Sequence, residues 1–339
     1  MAQFQSGGLD AALAAVENAA TRAPRDPRVQ ILRADILTGL SREREATRFY
    51  QAAINLAQGL SPLPPDLARD LDRARAAAAT QVRRYETFVR DRLGDLTATS
   101  GDRFAEALDL TFGRRQHYPQ APTQFFFPGL PTVQFFPRGA FDWIEALEAQ
   151  TAAVRAEVSA ILPDDSRFSP YVEARDLQAG QTSALAGSRQ WTAFFLSKNG
   201  VPDAANNALA PVTWAAMQAV PLCRLPGRSP SVLFSQLRPG AHIPPHNGLA
   251  NVRLICHLPL IVPQGCGFRV GNETRQWVEG QTWVFDDTIE HEAWNKGNST
   301  RIILLFEVWR PEFDASEREA LQAMFAAIDA YGVAEAWDI

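Results

Sequence analysis

Two histidines and an arginine stand in an order that could hold a metal and an anion. They are His246, His291 and, ten residues further on, Arg301. An oxygen-activating iron(II) site wants imidazoles on two different strands, with open positions left for oxygen and a cosubstrate. A dicarboxylic acid cosubstrate also needs a cation for its far end. Histidine, a strand-rich gap, a second histidine and then a basic residue on the next strand meet those needs. Two residues after His246, where such sites usually carry a metal-binding carboxylate, the chain has Gly248. The five histidines are His117, His242, His246, His257 and His291. Any one alone would ordinarily be a structural hydrogen-bonder; the pair with Arg301 in order outweighs that reading.

Strand alternation enlarges the constellation. In NVRLICHLPL, residues Arg253, Ile255 and His257 share one face, and Val252, Leu254, Cys256 and Leu258 share the other. A guanidinium and an imidazole on one otherwise apolar face imply a polar pocket, because burying them unpaired is costly. Arg301 opens the apolar run RIILLFEVW, where it either snorkels at the strand end or meets a buried carboxylate with its bidentate fork. Ser235 could offer a hydroxyl to the same anion. Asp286, Asp287, Glu290 and Glu292 lie near His291, the first two as turn or supporting groups, with Glu292 facing away. A carboxylate on the non-ligating nitrogen of His291 is the more natural use of one of them. Pro244 and Pro245 stiffen the approach to His246, and His291 is expected just past a strand end, in a turn.

The elements that must position these residues change character along the chain. From Ser231 onward, SVLFSQLR, NVRLICHLPLIV, GFRVG, TRQWV, QTWVFDD and TRIILLFEVW are short β-type runs between Gly, Pro and Asn turns. Six such segments predict a two-sheet, cupin-like jelly roll (a double-stranded β-helix), with a last helix from about Ser316 to Ala330. Upstream, apolar residues recur at helical spacing in three runs, followed by a long Ala- and Arg-rich run from about Asp66 to Arg92. Helix pairs with small residues at packing points resemble a degenerate tetratricopeptide array; an irregular helical bundle fits equally. The expected class is α+β, with a helical region over 1–95, a connecting segment over 96–123 and the jelly-roll domain over 124–339. A helix is predicted from about Asp142 to Ile161, preceded by an aromatic run that should bury itself against a sheet.

Bulk properties exclude classes rather than choose one. A formal charge of -5 argues against a general nucleic-acid surface. No basic region followed by an apolar run opens the chain, and no apolar stretch reaches the roughly 20 residues of a membrane span. Three cysteines without metal-type spacing, Cys223, Cys256 and Cys266, make a reducing cytoplasmic setting the simplest expectation.

The stretch from about Ser231 to Pro311 resembles the aspartyl/asparaginyl β-hydroxylase family. The triplet His246 to Gly248, NVRLICHL, GFRVGNET, and FDDTIEHEAWN followed by Arg301 carry the resemblance. It implies an iron(II)- and 2-oxoglutarate-dependent dioxygenase that hydroxylates an unactivated carbon. The β-carbon of an aspartyl or asparaginyl residue, in a protein, peptide or small acidic substrate, is the leading target. The resemblance assigns His246 and His291 to iron, Arg301 and Ser235 to the distal carboxylate of 2-oxoglutarate, and His257 to its metal-proximal end. Arg253 would reach the cosubstrate or an acidic side chain. Gly248 agrees with a family that uses two histidines and no carboxylate. Where some members carry a second pocket arginine, this chain has Ile255, which bears on substrate charge. Other readings stay open: a non-catalytic cupin-like binding module, a helical scaffold with a structural β domain and a protein partner on its helices, or a hydroxylase of a lipid or small molecule.

Overall fold

The computed structural model describes residues 2–173 and 185–331. The chain divides into two compact units, 1–115 and 116–339. The first unit is helical: α1 (Ala2–Arg22), α2 (Pro27–Gly39), α3 (Glu43–Ala57), α4 (Pro65–Leu93), α5 (Leu96–Thr99) and α6 (Asp102–Thr111). Helix α2 starts where the sequence says it must. The Asp26 carboxylate accepts from the Arg28 amide and Pro27 takes the first turn, where its missing N–H costs nothing. Successive helices pack on one another from α1 to α4. Their seam is built on Ala34, Ala46, Ala53 and Ala74, small enough for close approach, with Leu37, Leu67 and Leu71 filling the rest. Helix α6 lies inside the segment expected to be connecting.

The second unit is an antiparallel sandwich. Its elements are α7 (Ile144–Glu148), α8 (Thr151–Ile161), β1 (Ser169–Pro170), β2 (Trp191–Lys198), β3 (Val201–Pro202), α9 (Ala204–Leu209) and α10 (Pro211–Gln218). There follow β4 (Val232–Leu237), β5 (His242–His246), β6 (Arg253–Ile261), β7 (Cys266–Val270), β8 (Glu273–Arg275), β9 (Trp283–Phe285), β10 (His291–Asn295), β11 (Arg301–Trp309) and α11 (Ala315–Tyr331). One sheet runs β1-β2-β4-β11-β6-β9, with β3 on β2; the other runs β5-β10-β7-β8. From β4 onward the chain passes back and forth between the two sheets, which is the winding of a jelly roll. The fold is α+β, as the segment pattern predicts.

Period-two alternation then sorts the side chains. Leu254, Cys256, Leu258, Ile302, Leu304 and Phe306 pack outward, under Val154, Val158 and Ile161 of α8 and Met217 of α10. Leu233, Ile255 and Leu305 point inward, toward Ile243, Phe268 and Ala293 of the smaller sheet. The helix expected over 142–161 is broken into α7 and α8. The aromatic run does bury part of itself: Phe135 and Phe136 are buried, whereas Phe126 is exposed.

Two expectations about strands need correction. His291 does not sit in a turn past a strand end but opens β10. The segment HIPPH is itself a strand, β5, even though it holds two prolines. Among the described residues its only strand neighbour is β10, so it is the edge of the smaller sheet, the place where missing backbone donors are tolerated.

Candidate active site

The two histidines that chain order separates are direct cross-strand partners, His291 on β10 opposite His246 on β5. Their ring centroids lie 4.1 Å apart. Each ring is fixed by the same device. His246 Nδ1 is 2.8 Å from the Pro244 carbonyl oxygen, and His291 Nδ1 is 3.1 Å from that of Ile289. A carbonyl can only accept, so both Nδ1 atoms carry the proton and both Nε2 lone pairs are left for a metal. A backbone carbonyl, rather than the expected carboxylate, therefore orients His291. Burial lowers the pKa of both rings, that of His291 well below the usual value with His246 as the next cause, so both are neutral at pH 7.

Behind the pair, the inward face of the larger sheet presents Ser235, His257 and Arg301. Arg301 is 1% exposed and has no carboxylate partner among the described residues. Its Nη2 donates to Ser235 Oγ at 3.3 Å, and its guanidinium sits 5.0 Å over the Trp277 ring. Burial pulls the Arg301 pKa down to about 10, against a lesser opposing pull from Cys266. Ser235 Oγ also accepts from Trp191 Nε1 at 3.1 Å, so its own hydrogen is left to donate. His257 is held neutral, first by burial and then by Arg301, and its Nδ1 is buried without a partner.

Arg253 has a different task from the one expected. Its Nη1 donates to Asp287 Oδ2 at 2.8 Å and its Nε lies 3.0 Å from Glu307 Oε1, so its charge is taken up inside the protein. Glu307 Oε2 in turn accepts from the Ser229 hydroxyl and the Ser231 amide. Burial raises the Asp287 pKa to about 6, against the opposing pull of Arg253. Asp286 is structural, buried against Arg310 Nη1 at 2.7 Å. Glu292 pairs with Arg269 and His242, away from the histidine pair.

One pocket collects these groups. His246, His257, His291, Ser235, Arg253 and Arg301 all line it, so the six residues singled out from the sequence come together. Glu307, Asp287 and Tyr171 line it too. Glu307 was legible in principle: in RIILLFEVW it falls in the same alternate register as Arg301. Tyr171, stacked on Trp191 with centroids 3.9 Å apart, carried no signal in its neighbourhood. Among the described residues no cluster of three or more His, Cys, Asp or Glu side chains is placed to hold a metal. A metal here would take two protein nitrogens and draw its other ligands from elsewhere.

Residues 148–311, which contain this pocket, match the family model described as Aspartyl/Asparaginyl beta-hydroxylase. This stretch of the chain, just under half of it, is similar to that family. Among similar curated proteins, Aspartate beta-hydroxylase domain-containing protein 2 of Xenopus tropicalis is 33% identical over 211 residues, 61% of this chain and 55% of that one. Ornithine lipid ester-linked acyl 2-hydroxylase of Rhizobium tropici is 34% identical over 186 residues, covering 54% and 62%. Human Aspartyl/asparaginyl beta-hydroxylase is 31% identical over 188 residues, covering 55% and 23%. The match thus spans little more than half the length of the first two relatives and a quarter or less of the third. The matched segment holds every pocket residue named above. Among the described residues no helix is long and apolar enough to cross a membrane.

Proposed function

We propose that the chain is an iron(II)- and 2-oxoglutarate-dependent hydroxylase of unactivated C–H bonds. The observation that carries this reading is Arg301, a buried guanidinium with no carboxylate partner among the described residues, set behind two neutral imidazoles whose Nε2 lone pairs face no described hydrogen-bond partner. A buried cation of that kind is stable only when an anion joins it. A dicarboxylate fits: Arg301 and the Ser235 hydroxyl can hold one carboxylate by charge-assisted hydrogen bonds. His257 stands on the same face for the other end, and His246 and His291 can hold the metal.

When bound, the iron and 2-oxoglutarate supply the oxidising chemistry with molecular oxygen. The protein's part is positioning. The carbonyls of Pro244 and Ile289 fix the two imidazoles before any metal arrives, so no reorganisation is needed on binding. Phe268, Phe285 and Ile303 keep water from the buried end of the pocket. An aspartyl target within this pocket would need a free cation for its carboxylate, and Arg253 is already engaged.

The test is an anaerobic titration of the chain with iron(II) and then 2-oxoglutarate, followed by oxygen and a succinate assay. A metal-to-cosubstrate absorption band and succinate formation are expected, both lost in His246→Ala. Absence of the band in the parent chain would leave a binding module as the better description.

A further inference from the structure

The helical unit has a groove of its own. Residues 1–115 hold more arginines than acids although the whole chain is at -5, and every basic residue there is an arginine. Helices α3 and α4 leave between them a groove of about 880 Å³. Its α3 wall presents Arg44, Arg48, Gln51 and Asn55, which recur on one face at helical spacing. Its α4 wall presents Val82, Tyr85 and Phe88. The floor is polar but satisfied, since Gln81 accepts from the Thr47 hydroxyl at 2.8 Å and donates to that of Thr38 at 3.0 Å. The charge on the α3 wall is open. Both acids beside it are taken, Glu43 by Arg84 at 2.9 Å and Glu45 by Arg42 at 2.7 Å. Arg44 and Arg48 are exposed and have no carboxylate partner among the described residues. Across the groove Tyr85 is 43% and Phe88 56% exposed, and Tyr85 is propped edge-on against Phe112 with centroids 5.7 Å apart. Aromatic and arginine side chains are the ones that most often anchor a protein partner.

We propose that this groove binds an extended segment of a partner protein in which acidic and apolar residues alternate. Spacing sets the pattern. Arg44 and Arg48 are about one turn apart, a rise of about 6 Å, and every second residue of an extended chain advances about 6.7 Å. Successive side chains of such a chain point to opposite sides. Acids on one side therefore meet the guanidinium forks of α3, while the residues between them meet Val82, Tyr85 and Phe88 of α4. Gln51 Nε2 donates to Asn55 Oδ1 at 2.9 Å, which leaves Gln51 Oε1 and the Asn55 amide hydrogens to pair with a main chain. Exposed ion pairs are individually weak, so the arginines and the aromatics must act together. A nucleic acid fits less well, because the net charge of the whole chain opposes a polyanion.

The test uses the full chain in chelator, without iron or 2-oxoglutarate, so its outcome is independent of the oxygenase reading. Fluorescence anisotropy follows four labelled probes: octapeptides of alternating aspartate and leucine, of alternating lysine and leucine, and of an aspartate block followed by a leucine block, and a short oligo-dT strand. The alternating aspartate peptide should bind at least tenfold more tightly than the other three, and added salt should weaken it. Arg44→Glu with Arg48→Glu should weaken it tenfold or more, and Phe88→Ala threefold or more. Arg69→Glu with Arg103→Glu makes the same charge change on exposed arginines outside the groove and should leave binding within twofold. No binding of the alternating peptide, equal binding of the block peptide or the oligonucleotide, or equal losses in the two arginine variants overturns the proposal. So does a concentration-dependent dimer in sedimentation that Arg44→Glu with Arg48→Glu abolishes, since the groove then belongs to a second copy. Should that double variant misfold by circular dichroism, Arg48→Gln carries the comparison, with a threefold loss expected and an unchanged affinity overturning the proposal.

Discussion

The carboxylate of Asp287 fills the space that a β-carbon on Gly248 would need. The Gly248 amide also donates to the Asp287 carbonyl oxygen at 2.7 Å, so the two backbones are locked together beside the histidine pair. The position two residues after His246, where a carboxylate ligand might have stood, is thus closed to any side chain, and Asp287 from the turn before β10 occupies the space. Gly248→Ala must push Asp287 off Arg253. A loss of about 1–3 kcal/mol is expected for such overpacking, read as a lower denaturant midpoint. A variant as stable as the parent would show that the approach is looser than this.

Arg253 should be needed for folding rather than only for turnover. Arg253→Leu leaves Asp287 and Glu307 buried without their cation, at a cost of about 3–5 kcal/mol. Urea unfolding at pH 7.5 measures it. A change within 0.5 kcal/mol would mean that the two acids find other partners, and with it the charge argument for the pocket would fall.

Arg301 should behave in the opposite way. Arg301→Met removes a buried cation that has no carboxylate partner, so the ligand-free chain should melt at the same temperature or higher. The parent should gain about 2.7 kcal/mol when 2-oxoglutarate is present at a hundred times its dissociation constant, and the variant should gain nothing. Differential scanning fluorimetry with and without 2-oxoglutarate reads both effects. Retention of the ligand-induced shift in the variant would remove Arg301 from the anion site.

Acid should destabilise the metal-free chain. His246, His257 and His291 all have folded pKa values below that of the unfolded chain, so the stability they contribute is complete above about pH 6.5 and is lost as pH falls toward the folded values. Asp287 works in the other sense. Its pKa of about 6 is raised by burial, so its contribution is complete below its unfolded value near 4 and is lost as pH rises through 6. Three rings against one acid predict a net loss of stability as the pH falls from about 7.5 to about 5.5. Urea melts of chelator-treated protein across that interval test the sign; flat stability would contradict the burial of the rings.

Much of the site was legible along the chain because strands alternate. Period two in NVRLICHL puts Arg253, Ile255 and His257 on one face, and in RIILLFEVW it puts Arg301 and Glu307 on one face. Helical periodicity likewise foretold the N-terminal helices, and Ala46 and Ala53 of their seam. The β5 strand was hidden because Pro244 and Pro245 read as punctuation, and only its place at a sheet edge makes them compatible with pairing. The interruption between α7 and α8 was hidden as well, since helical spacing continues on both sides of it.

From sequence alone came the inventory: which cations, imidazoles and acids exist, and which share a strand face. The tertiary structure decided their partners. Arg253 and Arg301 are the same residue type on neighbouring strands, both facing inward, and nothing local distinguishes them. The register of β11 against β6 sets Glu307 opposite Ile255, beside Arg253, and the turn before β10 delivers Asp287 to the same guanidinium. Among the described residues no acid is delivered to Arg301. Which buried charge is neutralised depends on contacts between residues far apart in the chain, and those exist only once the two sheets have closed.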